Sequence, residues 1–174
     1  MPGTVIEAQE GSCEQIISSL FQTGGLVLSQ VCTITGLETH MVQNWVKRKF
    51  VSPPVDKKYS KRQFCRIVMI NMLKDVLPLP SITGMLSYLN GALDDERDDL
   101  IDDSELYIYF NEILLKVGDD LSTVDDKIKK ALARHAETHA GSKERLHNVL
   151  KIMVTAHVAA EQKKKTLLYI KQLH

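Results

Sequence analysis

The 174-residue chain predicts an all-α, mainly helical protein with one small β-wing near its N-terminus and a helical bundle after it. Three observations carry that prediction. Apolar residues recur at spacings of three and four from Val31 to Ile170, with breaks at Gly36, Pro78, Gly118 and Gly141. A basic stretch, Phe50-Val-Ser-Pro-Pro-Val-Asp-Lys-Lys-Tyr-Ser, cannot be helix through Pro53 and Pro54 and reads as a short hairpin or wing. The composition, 44% hydrophobic and 25% charged, is that of an ordinary globular chain.

Each element has its own signal. Val31 and Ile34 sit three apart on a short helix, Gly36 supplies a sharp turn, and Leu37 plugs the corner. A second helix starts at Glu38 or Thr39. Its buried stripe is expected at Thr39, Val42, Trp45 and Val46, leaving His40, Gln43, Asn44 and Lys47 on the opposite face. Ser60-Lys-Arg-Gln63 reads as a capping box that opens the next helix. That helix, expected over 60–77, is apolar nearly all round and should be central; Pro78 ends it, and another runs over 80–89. Further on, Leu106, Phe110, Ile113, Leu114 and Val117 form one stripe, and Val124, Ile128, Ala131 and Leu132 form the next. A last helix, 143 to about 173, carries Leu146, Val149, Leu150, Met153, Leu167, Leu168 and Ile170 with small Ala156, Ala159 and Ala160 between them. No strict heptad persists along it, which argues for packing in a bundle over a free coiled coil.

The turn Val31-x-x-x-Thr-Gly-Leu37, Trp45, the Pro-containing stretch and Tyr59 before the capping Ser60 resemble the N-terminal domain of MerR-type winged helix-turn-helix regulators, over 28–91. More narrowly, Leu28-Ser-Gln-Val, Gln43-Asn-Trp-Val-Lys-Arg, Lys57-Lys-Tyr-Ser-Lys-Arg-Gln, Ser87-Tyr-Leu-Asn-Gly and Leu106-Tyr-Ile-Tyr-Phe resemble an uncharacterised bacterial family known only as a domain of unknown function. The likeness spans roughly the first two-thirds of the chain. It implies a DNA-binding domain at 28–92, preceded by a helical extension (1–27) and followed by an acidic linker (93–105) and a helical region (106–174) for dimerisation, an effector, or both. The implied partners are double-stranded DNA and a second copy of the chain. One departure stands out: MerR-type recognition helices often carry Arg at the positions of His40 and Gln43.

Charge patterning fits that reading. Eight Lys or Arg between Lys47 and Arg66 face Asp56 alone, a local charge of +7, while eight acidic residues between Leu93 and Glu105 face Arg97 alone, a local charge of −7. The acidic run reads as a solvated linker whose Asp102, Asp103 and Glu105 favour the start of the next helix, pointing away from DNA. A loop starting at Asp94 lacks the Gly and closing Glu of an EF-hand.

Other functions find little support. Cys13, Cys32 and Cys65 are too scattered for a disulfide framework or a thiolate site, and buried structural thiols are the reading. His135 and His139 are four apart on one helix face, but Glu137 is misplaced for a zinc protease, so no metal or other cofactor and no enzyme is expected. No run approaches the ~18 apolar residues of a membrane span, and 1–28 lacks a signal-peptide pattern, which points to a cytoplasmic protein without a membrane partner. The expectation is a sequence-specific DNA-binding regulator of transcription whose recognition helix, about 38–49, lies in the major groove. His40, Gln43, Asn44 and Lys47 would face base edges, and Lys49, Lys57, Lys58, Tyr59, Lys61 and Arg62 would contact phosphates. The alternatives are a protein-interaction module on the same scaffold and a His-based metal-binding protein.

Overall fold

Residues 1–7, 12–91, 93, 99–118, 120–137 and 139–173 are described by the computed structural model of the chain. In order the elements are α1 (Cys13–Leu20), β1 (Leu26–Val27), α2 (Leu28–Thr35), α3 (Thr39–Lys47), β2 (Lys58–Tyr59), α4 (Lys61–Leu73), α5 (Leu79–Asn90), α6 (Asp103–Val117), α7 (Val124–Leu132) and α8 (Ser142–Lys171). A 3-10 turn at Leu121–Thr123 leads into α7. The protein is mainly helical, and its one sheet among the described residues has two strands.

The chain folds around α4. Phe64, Cys65, Ile67, Val68, Met69, Ile70 and Leu73 are all fully buried, so this helix has apolar neighbours on almost every side. It packs against α6 and α8, α5 lies on α8, and α7 fills the gap between α6 and α8. The stripes expected from spacing are found inside: Leu106, Phe110 and Ile113 of α6, all four residues named on α7, and Leu146, Val149, Leu150 and Met153 of α8. The resulting core is continuous from Cys13 to Ala156, so the bundle and the N-terminal module share α4.

Three boundaries differ from the sequence expectation. α4 stops at Leu73 and not at Leu77, because the amides of Val76 and Leu77 both donate back to the Leu73 carbonyl (3.1 and 2.9 Å) in a closing turn. The residue before a proline avoids helical backbone, so Leu77 could not have continued the helix into Pro78. Among the described residues before Leu28 the helix is α1, and Leu26 and Val27 form β1, paired antiparallel with Tyr59 and Lys58. The third concerns α8. From Gln162 onward every described residue is exposed, so this end of the helix projects from the bundle instead of packing in it.

No helix among the described residues is long and apolar enough to cross a membrane.

One core contact is sensitive to pH. His157 of α8 meets the Phe110 ring edge-on at 5.8 Å between centroids, and burial lowers its pKa below the usual histidine value. The folded state therefore resists a proton that the unfolded chain accepts, so the contribution is intact above about pH 6.5 and is lost as pH falls below it. The thermal unfolding midpoint should drop between about pH 7.5 and about pH 5.5, and His157→Leu should make that drop smaller.

Candidate functional site

The residues singled out for binding gather on α2, α3 and the segment that follows. α2 ends where Gly36 takes a left-handed conformation (φ 69°), and buried Leu37 fills the corner. Asn71 of α4 donates to the carbonyls of Thr35 (2.9 Å) and Gly3 (3.0 Å), which fixes the turn to the core. From this anchored corner α3 leaves with Val42 and Trp45 buried and Val46 half-buried. Thr39, expected in that stripe, is instead exposed: it opens the helix, where its hydroxyl meets Cys32 Sγ at 3.9 Å, and half-buried Met41 lies on the inner side.

His40, Gln43, Asn44 and Lys47 are all exposed, and His40 Nδ1 lies 3.2 Å from the Glu38 carboxylate. α3 then ends in a left-handed cap. The amides of Lys49 and Phe50 donate to the carbonyls of Val46 (3.0 Å) and Trp45 (2.8 Å), with Lys49 at φ 57°. Beyond it, Val55 and Lys58 exchange both backbone hydrogen bonds (3.1 and 2.8 Å) around Asp56 (φ 48°) and Lys57 (φ 63°). Two consecutive positive φ values are what a two-residue hairpin turn needs to match strand twist. Lys49, Asp56 and Lys57 are the three non-glycine residues with positive φ among the described residues, and all lie between α3 and α4. Holding a lysine there costs about 1 kcal/mol or more relative to glycine.

The hairpin is fastened at its base. Ser60 and Gln63 form the expected capping box: the Gln63 amide donates to Ser60 Oγ (3.2 Å), and the Ser60 amide donates to Gln63 Oε1 (2.8 Å). The remaining end of the Gln63 side chain, Nε2, donates to the carbonyls of Ser52 (3.2 Å) and Pro53 (2.8 Å) and to the Ser52 hydroxyl (3.0 Å). Gln43 on α3 and Lys57 on the hairpin line one cleft of about 520 Å3, whose floor includes Val27, Val46 and Pro54.

Two of the expected phosphate contacts are placed otherwise. Tyr59 is buried in the core, and burial raises its pKa. Being in β2, it alternates with exposed Lys58 and must point inward. Arg62 is ion-paired with Asp99, and the pair is largely shielded from solvent. Lys49, Lys57 and Lys58 are exposed, and Lys61 is half-buried. Arg48, not singled out from the sequence, is also exposed and stacks over the Phe50 ring at 4.5 Å. Its place in the basic run was the available signal.

Nor is the acidic run wholly a solvated linker. Asp94, Asp95, Glu96, Arg97 and Asp98 lie outside the described residues. Asp102 does cap α6, accepting from the Ser104 amide at 2.7 Å. Asp103, however, is fully buried: Oδ2 accepts from Arg66 Nη1 (3.0 Å) and Oδ1 from Asn90 Nδ2 (3.2 Å). Burial pushes the Asp103 carboxyl upward in pKa against the pull of Arg66 and Arg62. Arg66 is held in turn by Nε, which donates to the Phe50 carbonyl at 2.9 Å.

Among the described residues no three His, Cys, Asp or Glu side chains come together so as to hold a metal ion. His135 turns Nδ1 toward Glu105 (3.6 Å) and meets the Tyr109 ring edge-on, and His147 pairs with Asp125 at 2.8 Å. Cys13 is buried with its thiol pushed up to about 11, and burial likewise raises the Cys65 thiol well above its usual value; Cys32 is half-buried. The first two are therefore protonated packing residues.

Comparison with known proteins identifies relatives without assigning an activity. The model of a family described as "Domain of unknown function (DUF1836)" matches residues 13–110, more than half of the chain, and the chain belongs to that family. A curated relative, "Uncharacterized protein YkrK" of Bacillus subtilis (strain 168), is 31% identical over 78 residues, 42% of this chain and 34% of that protein. The chain thus spans about a third of the length of the curated relative it matches. No solved structure gives a significant match.

Removing one partner of the Arg66–Asp103 pair leaves a buried charge uncompensated. Asp103→Ala should destabilise the fold by about 3–5 kcal/mol in urea unfolding, and Arg66→Met combined with Asp103→Leu should recover most of that loss. A double variant no more stable than the single one would show that the ion pair itself is indispensable.

Proposed function

We propose that this member of the DUF1836 family binds double-stranded DNA, with α2 and α3 acting as a winged helix-turn-helix of the MerR kind and the Val55–Lys58 hairpin as its wing. The observation that carries the reading is the shared cleft. The α3 face bearing His40, Gln43, Asn44 and Lys47 and the hairpin tip bearing Lys57 border one concave surface, with Gln43 and Lys57 both on its walls. Side-chain amides suit the donor and acceptor pair on adenine in the major groove, and lysines flanking the helix suit the phosphates beside that groove. The strain at Lys49 and Lys57 points the same way. Glycine would relieve it at either position, yet the chain keeps a cation there.

Arg48, Lys47, Lys49, Lys57, Lys58 and Lys61 supply the phosphate contacts in this proposal; Tyr59 and Arg62 are left out because the one is buried and the other is paired with Asp99. Regulation of transcription is the biological role that sequence-specific binding would serve. A second reading, grip on another protein, draws on the apolar floor of the cleft, Val27, Val46 and Pro54.

Selection of genomic DNA fragments on the purified chain, followed by binding titrations over a range of salt, separates the two. Enriched fragments and affinity that falls steeply with salt are expected. Lys58→Ala should weaken all sequences alike and reduce the salt slope by about one unit, whereas Gln43→Ala should cut discrimination between the selected site and its point variants by about 1–3 kcal/mol. No enrichment together with a flat salt dependence would overturn DNA binding and favour the protein-binding reading.

A further inference from the structure

One cavity takes no part in the proposed DNA-binding surface. It measures about 570 Å3 and lies where four parts of the chain meet: Arg62 near the start of α4, the segment 99–102, Glu105 and Tyr109 on α6, and 134–136 just after α7. A volume of this size suits a small ligand.

Two polar atoms in its walls are left over. The Asp99 side chain is 9% exposed and is paired with Arg62 through Oδ2, while Oδ1 is buried with no hydrogen-bond partner among the described residues. The His135 side chain is also 9% exposed. Its Nδ1 lies 3.6 Å from Glu105 Oε1 and its ring stands edge-on to Tyr109, yet Nε2 is buried without a hydrogen-bond partner among the same residues. A buried polar atom left unmatched opposes folding, so two in one cavity call for a common explanation.

Both atoms are acceptors. An ionised carboxylate has no proton to give. The carboxylate beside Nδ1 favours the imidazole proton on that nitrogen, so Nε2 presents its lone pair. Charge in the walls points the same way. Three carboxylates, Asp99, Asp102 and Glu105, face two guanidinium groups, and both guanidinium groups are already engaged: Arg62 with Asp99, and Arg134 with both oxygens of Glu112 at 2.7 Å. An anion would meet spent cations and three like charges, whereas a cation with N–H groups meets acceptors and an excess of negative charge.

We infer that this cavity is a binding site for a small alkyl cation bearing N–H donors, of the amine or guanidine kind. Its head donates to Asp99 Oδ1 and His135 Nε2 together, with the Glu105 carboxylate beside them, and its stem lies against half-buried Leu100 and buried Ile101. None of these residues is a DNA contact in the reading above, so the inference stands apart from it.

Calorimetric titration of the full chain with agmatine, in the absence of DNA, tests the site; butyrate and butanol serve as anionic and neutral probes with a similar stem. Saturation at one agmatine per chain is expected, with no binding of butyrate or butanol. His135→Phe keeps a ring against Tyr109 but lacks Nε2, and Asp99→Asn loses the charge; each should weaken agmatine about tenfold. Asp125→Asn, which removes a surface carboxylate on α7, should leave the affinity unchanged. A second readout needs no variant. In protein labelled with 15N-histidine, agmatine should shift the Nε2 resonance of His135 and leave that of His147 in place. No saturation by about 10 mM would show that the two acceptors are met by water alone and would overturn the inference. Equal binding of butyrate or butanol, undiminished affinity in His135→Phe or Asp99→Asn, an equal loss in Asp125→Asn, or a shift at His147 in place of His135 would each overturn it as well.

Discussion

Asp103 has no solvent exposure and sits at the first turn of α6, so its charge must be satisfied inside the protein. Arg66, equally hidden on the otherwise apolar α4, satisfies it, and the two side chains also bind the chain on either side. Arg66 holds the Phe50 carbonyl just after α3, while Asp103 holds Asn90 at the end of α5. Asn90 in turn accepts from the Ile101 amide at 3.4 Å. One ion pair thus sets the mutual positions of α3, α4, α5 and α6. Such a pair adds little net stability over an apolar replacement, because desolvation offsets most of the Coulomb attraction. Its consequence is geometric: a slip of α6 along α4 would leave two buried charges apart, and the position of Phe50 is tied to that register.

The hairpin depends on the same frame. Its tip holds Asp56 and Lys57 at positive φ, and the strain there persists only because the surroundings determine it on three sides. β1 pairs with β2 below the tip, Tyr59 anchors β2 in the core, and Gln63 ties Ser52 and Pro53 to the start of α4. Arg66 fixes the other end of the segment through Phe50. The exposed lysines are therefore carried on a segment bonded to α4 at Phe50, Ser52 and Pro53, and α3 is joined to the same helix through Asn71 at the preceding turn. A surface prepared in this way loses little conformational entropy when something binds to it.

Local signals made much of this legible. Gly36 before Leu37, Ser60 three residues before Gln63 and the stripes of α6 and α7 each depend on neighbours within one or two turns, and the structure contains them. What the sequence concealed depends on distant partners. Asp103 looks like any capping acid until Arg66 is brought beside it, and Arg62 reads as a surface cation until Asp99 is placed. Tyr59 could have been assigned by the alternation of a strand, but a strand of two residues gives no period to recognise. The end of α8 escaped for a different reason: Leu167, Leu168 and Ile170 read as core residues by hydropathy, and only the packing of the bundle shows that the helix runs past it and leaves them exposed.

The internal acids also change what the basic stretch can do. Of its eight cations, Arg66 is buried against Asp103 and Arg62 is paired with Asp99, leaving six toward the surface with Asp56 among them. Each phosphate neutralised by a protein cation contributes about 0.9 to the slope of affinity against salt, so the attraction from one module has a low ceiling however basic the sequence looks. Six cations on one copy would give the weak, sequence-independent grip of a single small module, so any sequence preference would have to come from the base-facing side chains of α3. The acids Asp99 and Asp103 thus set both how firmly the cleft is held to α4 and how much charge the basic stretch presents.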